Sequence, residues 1–237
     1  MYCYDQALPL PTAICHLPFA MNLYAYHPSD SMRHPVYIDK WVTDHGVDEE
    51  GRCSICHKVM RVKADKSQRQ THFAHVQDTG CPTVAENHVP YKVFRSLPRD
   101  PAIAEAAKAY TLDNIEGIYL KMKKFVAALS WKEMHELLEV ARKEDIWSLK
   151  DMPHGCIPYV LLTCTERFKA NKQFGRKHDT FFVLETTPDT GEYWNFPRGQ
   201  KRFIWEITLP SKTVEHHEID LTTPTLWYMN RVTELLA

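Results

Sequence analysis

The chain has 237 residues, enough for one large domain or two small ones around a real hydrophobic core. With 44% hydrophobic and 25% charged residues it has an ordinary globular balance, and a formal net charge of −1 means that any case for a nucleic-acid partner must be local. No apolar run reaches the roughly eighteen residues of a membrane-spanning helix, and no Gly-rich phosphate loop occurs, so neither a membrane nor a nucleotide cofactor is expected.

The start, Met1-Tyr-Cys-Tyr-Asp-Gln6, lacks a basic stretch followed by an apolar one, which argues against secretion. Seven cysteines is an odd number, and several sit beside histidines. Thiolates holding a metal in a reducing, cytoplasmic setting fit better than a disulfide framework. Cys3, Cys15, Cys156 and Cys164 read as small buried apolar residues.

In chain order, residues 1–35 hold prolines and aromatics with little periodicity and are expected to wrap the module that follows. Val36 to Thr43 reads as a strand and Asp44 to Gly51 as an acidic loop. Val59–Val62 and Thr71–Phe73 are short strand candidates, joined by the polar turn Lys63–Gln70.

Helices follow. Asp100-Pro101 gives an N-cap with proline at the first helical position, opening Ala102 to Tyr110. Ile115, Ile118, Met122, Val126 and Leu129 recur at helical spacing. Ser130-Trp-Lys-Glu133 is a capping box with Met134, Leu137, Leu138 and Ala141 as the stripe behind it. Ile157–Thr165, rich in apolar and β-branched residues, reads as a strand, and so does Thr180–Thr186. Pro188-Asp-Thr-Gly191 is a turn signal. In Lys201–Leu209, Phe203, Trp205, Ile207 and Leu209 share one face, and residues 225–236 close with a short helix. The expected fold is α+β. A small zinc-ribbon module with a flanking arm fills residues 1–98; a helical segment and a mixed or antiparallel sheet fill residues 99–237.

One run of ligands points to definite chemistry. Fifteen residues separate Cys53-Ser-Ile-Cys56 from His72-Phe-Ala-His75, and Cys81 and His88 come soon after. A pair of ligands at i and i+3 forces the chain into a tight knuckle around a shared ion. Cys53, Cys56, His72 and His75 would make a closed tetrahedral zinc site with a structural role. Cys53, Cys56, Cys81 and one histidine is an equally acceptable set. If His72–His75 is extended, its two histidines point to opposite faces, and Cys81 fills the gap. A catalytic zinc is not indicated. Neither HExxH nor HxE…CxxC occurs, and Glu86-Asn87-His88 does not have the spacing of an HNH nuclease.

The stretch Cys53-Ser-Ile-Cys56 … Thr71-His-Phe-Ala-His75 … Cys81-Pro … Glu86-Asn-His88 … Lys92 resembles the N-terminal zinc-ribbon region of CoiA-like competence proteins. It covers about fifty residues, with Ser54 where the family's knuckle usually has proline. The resemblance implies a bacterial or phage protein, or one from a mobile element, concerned with DNA or RNA. It also implies a nuclease-like domain of the PD-(D/E)xK type, which uses carboxylates to hold Mg²⁺. The nearest matches to such a site are Glu86, Asp179 in Arg176-Lys-His-Asp179, and Glu206 in Glu206-Ile-Thr208. Thr208 stands where an amide or amine is expected, so the three acids read more readily as surface carboxylates.

Two segments are locally basic. Residues 51–100 hold nine Lys/Arg against four Asp/Glu, with Arg61, Lys63, Lys66 and Arg69 between the ribbon strands. Residues 167–178 hold Arg167, Lys169, Lys172, Arg176 and Lys177 with no acid, interleaved with Phe168 and Phe174. Cations for phosphates and ring faces for bases suit single-stranded nucleic acid. The sequence therefore favours a non-catalytic zinc protein associated with nucleic acid. A divergent Mg²⁺-dependent nuclease and a protein–protein adaptor are the alternatives.

Overall fold

The computed structural model describes residues 23–63, 71–76, 81, 92–187, 192–196, 199–209, 213–222 and 234–235. Expectations for residues 1–22, the turn Pro188–Gly191, His88 and nearly all of the closing helix fall outside these.

The fold is mixed α+β with three small antiparallel sheets. β1 (Tyr24–Ala25) pairs with β2 (Val36–Tyr37), and the chain turns at once into α1 (Ile38–His45). The strand expected over Val36–Thr43 thus ends at Tyr37. Ile38 and Trp41, three residues apart and both fully buried, define the inner face of a helix rather than one side of a strand.

β3 (Gly51–Arg52), β4 (Val59–Lys63) and β5 (His72–His75) form the second sheet in that order. Gly51 is required where it stands: a Cβ there would lie 2.7 Å from the Ala25 Cβ and 3.2 Å from the Trp41 ring.

After α2 (Lys92–Arg95) come α3 (Pro101–Asp113), α4 (Ile115–Lys123) and α5 (Trp131–Lys143). The Asp100 carboxylate accepts from the Ala102 N–H at 3.0 Å and starts α3. The Ser130–Glu133 capping box starts α5. Ile118, Met122, Val126, Leu129, Met134, Leu137 and Ala141 are buried in one core.

α6 (Ile157–Leu162) replaces the strand expected at Ile157–Thr165. All six of its residues are buried, so the run carries no polar face to reveal its period, and Pro158 sits in the first turn, where it is tolerated.

The third sheet consists of β6 (Asp179–Leu184), β7 (Phe203–Leu209) and β8 (Thr213–Glu218) in that order. It is covered on both sides. Phe181, Val183, Trp205 and Ile207 pack with Trp41, Ile55, Phe73, Cys53 and Cys81, whereas Phe182, Leu184 and Ile204 pack with the helices. The molecule is therefore layered: the Cys/His module, then the sheet, then the helices. Among the described residues no helix is long and apolar enough to cross a membrane.

Candidate metal centre

The hairpin between β3 and β4 is a knuckle. Cys53 N–H donates to the Lys58 carbonyl (3.0 Å), His57 N–H to the Cys53 carbonyl (2.9 Å) and Ile55 N–H to Cys53 Sγ (3.4 Å). His57 takes a left-handed backbone (φ 57°) to close the turn. The two cysteine sulfurs thus face the end of β5, where Met60 is the register partner of His75.

Four ligand atoms meet there. Those of Cys53, Cys56, His75 and Cys81 all lie within 4.8 Å of one another. Cys53 Sγ is 3.8 Å from Cys81 Sγ, and Cys56 Sγ is 3.2 Å from His75 Nε2. An ion with zinc's bond lengths would space tetrahedral ligands by about 3.8 Å (S···S) and about 3.6 Å (S···N), so these two pairs match such an ion to within a few tenths of an ångström. Burial pushes the Cys53 thiol well up. At Cys56, hydrogen bonds from the Cys53 and Cys81 thiols, joined by the His75 contact, outweigh burial and pull the thiol down. Crowded sulfurs of this kind favour a cation in their midst.

His72 is outside the group. β5 is extended, His72 and His75 are three residues apart, and the alternation sends them to opposite faces. The structure brings together the set with Cys81 and one histidine.

The knuckle is anchored to the third sheet. Thr186 donates to the Ile55 carbonyl through both its N–H (3.1 Å) and its hydroxyl (3.2 Å). His57 Nε2 lies 2.9 Å from the Thr186 carbonyl, which can only accept, so Nε2 donates there, and Nδ1 lies 3.0 Å from the Tyr26 hydroxyl. Beside it the buried Glu185 accepts from Arg33 (2.7 Å) and from the Trp205 indole (3.2 Å). These anchors escape sequence reading. Only the adjacency of His57 to the knuckle signals them.

Of the candidate acids, Asp179 and Glu206 do not converge. Asp179 accepts from the Ala170 N–H (2.8 Å) and pairs with Arg167 (3.4 Å). Glu206 is in register with Phe182, three residues from Asp179, so strand alternation puts the two on opposite faces. Glu86 lies outside the described residues. Glu206 does join Glu215 and His217 in a second group of ligand atoms within 4.8 Å. Its geometry is that of a cross-strand ion pair. Glu206 and Glu215 are direct register partners, and the His217 ring lies 2.8 Å from Glu206 across the diagonal. Burial raises the Glu206 carboxyl above its ordinary value, with His217 opposing the rise.

Of the basic residues, Arg61 is exposed and held by Glu50, Lys63 is exposed at the end of β4, and Lys66 and Arg69 lie outside the described residues. Arg167, Lys169, Lys172 and Lys177 are exposed on a small hairpin closed by the bridges Phe168–Thr180 and Asn171–Arg176. Arg176 is buried and bound to Glu133, so its guanidinium is not free to meet a phosphate.

No family model, curated protein or solved structure matches the chain.

Proposed function

We propose that the chain is a zinc-binding accessory protein associated with nucleic acid, with the second sheet and its knuckle acting as a zinc ribbon and no catalysis of its own. The observation that carries this reading is the mutual approach of Cys53, Cys56, His75 and Cys81. Three thiolates and an imidazole are a soft donor set suited to zinc. Four protein ligands leave no position for a reactive water, so the ion's role is structural. Zinc bound in this way contributes on the order of 10 kcal/mol to folding its module. Support for nucleic acid comes from the exposed Lys169, Lys172 and Lys177 around exposed Phe174, and from the resemblance of the CxxC…HFAH run to CoiA-like proteins.

Protein purified without added metal is expected to hold one zinc per chain by elemental analysis. The His75→Ala variant should lose it and the His72→Ala variant should keep it. A zinc content near nought in the parent protein overturns the metal half of the reading. Fluorescence anisotropy with labelled oligonucleotides is expected to show affinity that falls steeply with salt, and a shallower slope once Lys169, Lys172 and Lys177 are changed to Ala. Absence of binding together with a stable co-purifying protein would replace this reading with the adaptor.

A further inference from the structure

The basic hairpin is fastened to the corner between α4 and α5. Arg176 donates to the carbonyls of Ala127 (3.2 Å) and Ala128 (3.5 Å) and to both carboxylate oxygens of Glu133 (2.8 and 3.2 Å). A short 3-10 turn over Lys172–Phe174 makes the hairpin tip, and Gly175 supplies the left-handed backbone (φ 90°) that ends it.

The corner carries an aromatic stack of its own. Trp131, the first residue of α5, lies on Tyr119 of α4 with ring centroids 4.2 Å apart and planes 13° apart. Trp131 is nonetheless 43% exposed, and Phe174 at the hairpin tip is 61% exposed. Two large rings are thus left open to water on elements that Arg176 ties together, and such ring faces suit a ligand with flat apolar faces.

Across residues 119–136 and 166–178 the exposed charge is mostly positive, with Glu136 and Glu166 as the exposed carboxylates. Lys123, Lys124, Lys132, Lys169, Lys172 and Lys177 are exposed, with the Lys123 ammonium 5.4 Å from the Tyr119 ring centroid. Among the described residues only Lys132 of these six has a carboxylate within ion-pair distance, Glu136 at 4.0 Å. Glu133, in the first turn of α5, is already bound to Arg176. The complementary ligand is a polyanion with flat apolar faces. A duplex stacks its base faces away from a side chain, whereas an unpaired strand presents them.

We propose that the α4–α5 corner and the hairpin tip form one binding site for single-stranded nucleic acid, in which unpaired bases stack on Trp131 and Phe174 while the lysines meet phosphates. The site rests on the nucleic-acid reading above and deepens it, naming the strand state and adding the helical corner to the hairpin.

The test uses the full-length, zinc-loaded protein with fluorescein-labelled oligothymidylate and with a duplex of equal length. Anisotropy is expected to show tighter binding of the single strand, by about tenfold or more, with quenching of tryptophan emission as bases stack. Trp131→Ala and Phe174→Ala should each weaken single-strand binding by about 5- to 100-fold with the salt slope unchanged. Trp131→Phe keeps a ring face and should recover most of the affinity. Circular dichroism and zinc content check that each variant is folded. Oligothymidylate bound as tightly by both alanine variants as by the parent, or a duplex bound as tightly as the single strand, overturns the stacking site and leaves the broader reading standing. Failure of the parent to bind either nucleic acid overturns both.

Discussion

Arg176 is 7% exposed, and its guanidinium is shared among Glu133 and the carbonyls of Ala127, Ala128 and Lys169. It also lies 5.7 Å over the Phe168 ring. In the sequence it is one of five cations in a twelve-residue run, and nothing local separates it from Lys172 or Lys177. What sets it apart is a carboxylate 43 positions away, which only the fold brings near. Arg176→Ala leaves the Glu133 carboxylate with only its Ser130 donors and takes the guanidinium N–H groups from three carbonyls. Glu133 keeps 31% side-chain exposure, so water recovers part of the loss, and about 2–3 kcal/mol of stability should disappear in urea unfolding. Arg176→Lys should restore only part of it, because an ammonium cannot reproduce the fork. The effect depends on pH with a definite sign. Burial alone would raise the Glu133 carboxyl, but hydrogen bonds from Arg176 and Ser130 outweigh it and hold the group below its ordinary 4.5. The ion pair therefore stabilises the fold fully above about pH 4.5 and is lost as pH falls through the lowered folded value. The stability gap between parent and Arg176→Ala should narrow below that point. A gap that stays constant down to the onset of acid unfolding would mean Glu133 is not the partner that matters.

At the scale of elements, α5 was legible and α6 was not, and the contrast has a physical cause. α5 has an exposed polar face, so Met134, Leu137 and Ala141 stand out at helical spacing, and its capping box lies within four consecutive residues. α6 is buried on every side, which erases the periodicity, and its β-branched residues then suggest a strand. β6 is nearly as apolar, with five of its six residues buried, and there the strand reading agrees with the structure because a sheet packed on both faces also buries every residue. Tertiary contacts alone separate the two cases. The capping box gives an element-level prediction. Ser130→Ala removes the acceptor for the Glu133 N–H (3.2 Å) and should cost about 1 kcal/mol. Glu133→Ala should cost more, since that carboxylate receives both the Ser130 N–H (2.9 Å) and Arg176. The double variant should fall short of the sum, because each single change already breaks the box. Strict additivity in urea melts would show that the two ends of the box act independently.

At the scale of the whole molecule, the sheet β6–β8 joins two cores of different origin. The helical core contains none of the four clustered Cys and His side chains, whereas Cys53 and Cys81 lie inside the other, with Trp41 and Phe73. The ligand spacing was visible in the sequence, as was the alternative that Cys81 displaces a histidine. The docking of the knuckle on the third sheet was not, because it runs through Thr186 and Ile55, 131 positions apart and ordinary in composition. This arrangement sets what metal removal should do. Without the ion, three thiols and an imidazole crowd a buried space with no cation to hold them, and the knuckle loses its closing force. The sheet face toward the helices keeps its own packing through Phe182, Leu184 and Ile204. A strong chelator should therefore open the molecule from one side. Amide exchange should quicken first at Cys53 and His57, whose N–H groups close the knuckle, and at Thr186, whose N–H reaches the Ile55 carbonyl. The α5 amides, beginning with Met134 bonded to the Ser130 carbonyl at 3.0 Å, should stay protected. Equal acceleration everywhere would show that the layers unfold as one unit. No acceleration would show that the four ligands hold the knuckle without a metal.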